Sequence, residues 1–149
     1  MRGKAPSRWL ALALVAAGLG GLPAGCGGGP PPASAPHFPD QALQTVHSAG
    51  GHFQIEIRTS PQPPIKGDNW AEYRITTESG APSAGLSLDV EPWMPAHAHG
   101  TSVRPTVVDE GDGRYTIQNL LFFMAGRWEL RSTLSGPIED VADPAFDVD

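Results

Sequence analysis

The stretch Pro92-Trp93-Met94-Pro95-Ala96-His97-Ala98-His99-Gly100 gathers more ligand chemistry than any other in this 149-residue chain. Its two flanking prolines keep it extended and bar it from the middle of a sheet, which predicts a loop or an edge. On an extended backbone His97 and His99, two residues apart, project their imidazoles to the same side. Met94 sets a thioether three residues upstream. Met124, in Phe122-Phe123-Met124-Ala125-Gly126-Arg127-Trp128, is the only other methionine besides Met1. Thioethers and imidazoles suit Cu(I) where thiols would oxidise, so Met94, His97, His99 and Met124 form a candidate copper site. Cu(II) would take His97 and His99 with water and a carboxylate such as Asp89 or Glu91. Zinc would need a third ligand, from His47 or His52 if the fold brings either near. The competing reading makes both methionines core fillers and both histidines solvated loop residues.

Other chemistries lack their residues. A single cysteine, Cys26, excludes an internal disulfide, CxxC zinc sites and dithiol redox motifs. No G-x-S-x-G elbow exposes a serine nucleophile, and His97 or His99 near Ser102 is a chance pairing. Asp109, Glu110 and Asp112 alternate with Gly111 and Gly113 without EF-hand spacing, so they read as a turn. Gly27-Gly28-Gly29 follows no strand and opens no helix, so it cradles no phosphate. The net charge of −6 and pI near 5.2 make nucleic acid a poor partner. The expectation is a protein without catalysis.

The chain's start carries an address. Arg2, Lys4 and Arg8 flank an apolar run from Trp9 to Leu22 that ends in Leu22-Pro23-Ala24-Gly25-Cys26. This is the layout of a secretory signal peptide over residues 1–25, too short to span a membrane comfortably. Ala24 and Gly25 before Cys26 resemble a bacterial lipobox, with Pro23 where a branched apolar residue is usual. Cys26 would then become the lipidated first residue, held on a membrane by acyl chains and facing the periplasm or exterior. Plain secretion with an incidental cysteine is the alternative. Cleavage would leave 124 residues with seven bases against sixteen acids, a formal charge of −9.

These candidate groups need elements to position them. The length allows one ordinary domain. Residues 26–36 are Gly- and Pro-rich and read as a tether. Residues 138–149 carry Glu139, Asp140, Asp143, Asp147 and Asp149 with no base, and read as a solvated acidic tail. Between them, residues 37–137 alternate apolar and polar side chains in short segments broken by turn residues. That pattern predicts an all-β domain, an immunoglobulin-like antiparallel β-sandwich of about seven strands. A short helical turn over 40–46 is the one exception. Trp70, Tyr73, Phe53, Phe122 and Phe123 are expected to fill much of the core, with Trp128, Leu130, Tyr115 and Ile117 facing it.

The pattern M-P-x-H-x-H-G, then D-G-R-Y-T-I, then F-x-M-x-G-x-W-x-L resembles the YtkA-like/FixH-like domains of bacterial exported proteins. Met94, Pro95, His97, His99, Gly100, Gly113, Tyr115, Phe122, Met124, Gly126, Trp128 and Leu130 carry the resemblance, all within residues 86–134. It implies an immunoglobulin-like sandwich and a link to copper handling and cytochrome oxidase maturation. Family members commonly have methionine where His97 stands. Two functions follow. One is a lipid-anchored domain that binds copper for handling or transfer. The other is a structural or protein-interaction module of the cell envelope, with an envelope partner and no metal.

Overall fold

The computed structural model describes residues 35–149. The expected leader, Cys26 and all of the tether before Ala35 lie outside the described residues. Ten strands form two antiparallel sheets, and the described residues contain no α-helix. The first sheet orders β1 (Gln44–His47), β2 (Phe53–Ser60), β3 (Gly67–Thr77), β7 (Arg114–Phe122) and β6 (Thr106–Gly111). The second orders β10 (Ala145–Val148), β8 (Gly126–Ser135), β4 (Ser87–Met94) and β5 (His99–Gly100), with β9 (Asp140–Ala142) also on β8.

Alternation explains the long strands. In β2, Phe53, Ile55 and Ile57 are buried and in β3, Ala71, Tyr73 and Ile75 are, and the register sets Ile55 opposite Ile75 and Ile57 opposite Tyr73. The inner face of the second sheet supplies Leu88, Val90, Trp128, Leu130 and Leu134. The two layers meet through buried aromatics whose polar tips are bonded, as burial requires. The Tyr73 hydroxyl on the first sheet lies 3.2 Å from Ser132 Oγ on the second. The Tyr115 hydroxyl accepts from the Leu86 N–H and donates to the Ser83 carbonyl, each at 2.9 Å. Trp128, Leu130, Tyr115 and Ile117 are all fully buried, as their alternation predicts.

Four expectations are corrected. The strands number ten because β1, β5, β9 and β10 have only two to four residues each, too few to show a period. Gln44–His47 pairs with β2 and replaces the expected helical turn. The acidic tail is no tail: β9 and β10 line β8, with Ala142, Phe146 and Val148 buried and Asp143, Asp147 and Asp149 turned outward. The outward acids lie on or beside short strands whose other residues are buried, so the folded domain runs past 137 to Val148. Trp70 and Phe123 are not core residues. Trp70 lies half-buried on the outer face beside Phe38, Glu72 and Gln118, and Phe123 is 39% exposed.

Candidate functional site

Of the expected copper ligands, His97 and His99 sit together on a hairpin at one end of the second sheet. β4 ends at Met94, and Pro95–His97 makes a single 3-10 turn closed by Ala98 in the left-handed region (φ 52°). The chain then doubles back as β5, with Met94 opposite His99 and Trp93 opposite Gly100. The stretch is therefore a tight hairpin and not the extended loop that the prolines predict. Pro95 starts the turn because its fixed φ suits a first helical position.

The turn still juxtaposes the imidazoles. The His97 and His99 ring centres lie 5.6 Å apart, inclined at 36°. His97 is exposed, while His99 is half-buried and stacked on Phe123 at 5.5 Å and 20°. Phe123 stands edge-on to Trp128 at 5.4 Å, and the Trp128 indole N–H donates to the Met124 carbonyl at 3.0 Å. That bond fixes the bend between β7 and β8 beneath His99. Glu91 reaches the same end, with Oε1 3.5 Å from where a Cβ on Gly100 would stand.

The thioethers are packed inward. Met94 is 2% exposed and belongs to the core, and half-buried Met124 packs against it. The Met94 methyl lies 2.7 Å from where a Cβ on Gly126 would sit, and Gly126 has φ +129°. Only glycine combines that backbone with the room for the methyl. The structure thus gathers Met94, His99, Phe123 and Gly126, with His97 at the rim.

The alternative zinc ligands are elsewhere. His52 bonds Asp140 in β9, and β9 pairs with residues 132–134 of β8. That is roughly 20 Å along the strand from Gly126. Asp89 is engaged at the surface by Arg104, at 3.4 Å. Among the described residues no three His, Cys, Asp or Glu side chains gather as a ready metal cage, and no helix there is long and apolar enough to cross a membrane.

Sequence reasoning missed the Phe123 stack and the His52–Asp140 contact. The first leaves no trace in a period, because Phe123 lies at the bend between two strands. The second joins residues 88 apart through a segment that reads as solvated.

No curated protein and no solved structure matches this sequence. The YtkA-like family model matches residues 47–133, from the end of β1 to within β8. That span is more than half of the chain and includes the whole His-containing hairpin and the Gly126 bend, so the chain belongs to the YtkA-like family.

Proposed function

We propose that this YtkA-like protein is an exported, lipid-anchored domain that binds copper at the His97/His99 hairpin for handling or transfer, without catalysis. The observation that carries the reading is the 5.6 Å separation of the two ring centres. A ligating imidazole nitrogen lies about 2.0–2.1 Å from its ion, which puts each ring centre about 3.2 Å away. Ring centres 5.6 Å apart are therefore within the separation at which two imidazoles can share one ion. His97 and His99 would hold the group, with Glu91 or water beside them and Met124 or Met94 as thioether donors that favour Cu(I). A bound copper ion would supply a cargo to be passed on. The chain's own part is to aim two imidazoles: the 3-10 turn sets His97, and Phe123 holds His99 flat. Only a deprotonated ring nitrogen can ligate, so acid would release the ion.

A second reading is an envelope interaction module with no metal. The exposure of Phe123 (39%) and Val103 (38%), together with the packing of both methionines on the core, favours it. Cu(I) competition against a chromophoric chelator separates the two, using wild type, the His97→Ala/His99→Ala double variant and Met124→Leu. The copper reading expects weaker Cu(I) binding in both variants, with a parallel Cu(II) titration lost in the double variant. Equal affinities in all three proteins would leave the interaction module.

A further inference from the structure

At the other end of the sandwich a second imidazole is held in a built setting. Asp140 begins β9 with its side chain 4% exposed. It accepts the Gly50 and Val141 N–H groups at 2.8 Å each and faces His52 Nδ1 at 2.9 Å. The Ala49 N–H to Val141 carbonyl bond, 2.8 Å, ties the same hairpin to β9. Space is reserved for the contact. A Cβ on Gly50 would stand 2.7 Å from His52 Nδ1 and 2.8 Å from Asp140 Oδ2, so any other residue there would push the pair apart.

A carboxylate that accepts from every neighbour leaves Nδ1 of His52 as the donor, so the ring's proton sits there and Nε2 keeps its lone pair. The His52 side chain is 46% exposed and borders a depression of about 280 Å³ with Thr77, Glu78, Ser79 and Ile138. The β2–β3 register pairs Phe53 with Thr77. His52 and Glu78 are the next residues beyond that last pair, and both border the depression. Glu78 Oε1 lies 4.0 Å from the Cβ position of Gly51, the residue beside His52. A clasp between hairpin and β9 would need only a donor to Asp140. An imidazole adds a second nitrogen, on a side chain half open to the depression that Glu78 also borders.

We propose that His52 Nε2 and Glu78 form a second metal site, for a divalent ion of the zinc class, with Asp140 as the positioning residue behind His52. A carboxylate bonded to the far nitrogen is the usual support of a ligating histidine, and one imidazole with one carboxylate suits a borderline ion whose remaining positions hold water. Two protein ligands make the site exchangeable. Asp140 lies outside the span matched by the family model, so the couple is a feature of this chain's own C-terminal strands.

The test titrates Zn²⁺ into the chain carrying His97→Ala and His99→Ala, which removes the first pair of imidazoles and keeps the two sites separate. One equivalent should bind, weakened tenfold or more by His52→Gln and severalfold by Glu78→Gln. Asp140→Asn keeps the shape but turns an amide N–H toward Nδ1, moving the ring proton to Nε2 and abolishing binding. Ring-nitrogen NMR shifts of the unsubstituted protein read the tautomer directly, whether or not a variant folds. Zinc affinity indifferent to His52→Gln, or a proton found on His52 Nε2 in the unsubstituted protein, would overturn the proposal.

Discussion

Gly126 and Asp140 show how much single residues decide. Gly126 combines φ +129° with a Met94 methyl where its Cβ would go. Gly126→Ala should cost roughly 1–3 kcal/mol from strain and overpacking together, read as a lower urea midpoint. Adding Met94→Ala should relieve the clash but not the backbone strain. Trp128 is fully buried, so Trp128→Ala should lose roughly 3–5 kcal/mol; unchanged thermal stability would put its ring at the surface. Asp140 gives a pH signature. Burial pushes its carboxyl up, but hydrogen bonds from Ser48, Gly50, His52 and Val141 outweigh that and hold it well below the usual carboxylate range. A depressed carboxylate stabilises the fold fully above its unfolded value of about 3.9 and ceases to do so as pH falls through its folded value. The stability gap between wild type and Asp140→Asn should therefore be widest near neutrality and narrow below about pH 4, which urea midpoints at several pH values would measure.

Among the elements, the sequence declares those that bury one face and conceals the rest. β2, β3 and β8 alternate without interruption at their centres. β7 does not: Tyr115 and Ile117 point inward, then Leu120 and Phe122 do. Asn119 at φ 60°, with a register shift against β3 between Asn69 and Ala71, absorbs the extra residue. Such a bulge moves the phase by one, so a single strand reads as two. The copper-candidate residues were legible because their types are rare in the chain, but their geometry was not, since a 3-10 turn replaces extended backbone. The His52–Asp140 couple was illegible because Asp140 sits among acids that do face water. Truncation after Pro137 tests the C-terminal strands. It would uncover the core side of β8 and remove Phe146 and Val148, each worth about 1.5–3 kcal/mol when buried. The expected result is a protein unfolded or close to it by circular dichroism. A cooperative transition at the wild-type temperature would restore the reading of 138–149 as a dispensable tail.

For the molecule as a whole, the layered architecture follows from the alternating pattern, and the reading of its start as an address is a separate question of chemistry. If Cys26 carries acyl chains, the protein should partition into a detergent phase and Cys26→Ser should not. Partitioning that survives the substitution would defeat the anchor.

The edge formed by β4 has a consequence for crowding. On the side away from β8, β4 pairs only with the two residues of β5, at Trp93 and Met94. Along the rest of that edge the 101–105 segment borders Val90–Pro92, exposed Asp89 meets Arg104, Glu91 is exposed, and Pro92 has no N–H to offer. An open row of backbone groups invites a second sheet to join it, and acids with a proline discourage that. If the chain is anchored through Cys26, molecules side by side on a surface meet at high local concentration, and two such edges would repel. Two acids and a proline thus disfavour self-pairing along the edge that leads to the His97/His99 hairpin. Replacing Asp89 and Glu91 by threonine should raise the apparent mass in sedimentation at high concentration, and do so more strongly at low salt, where these charges act over the longest range.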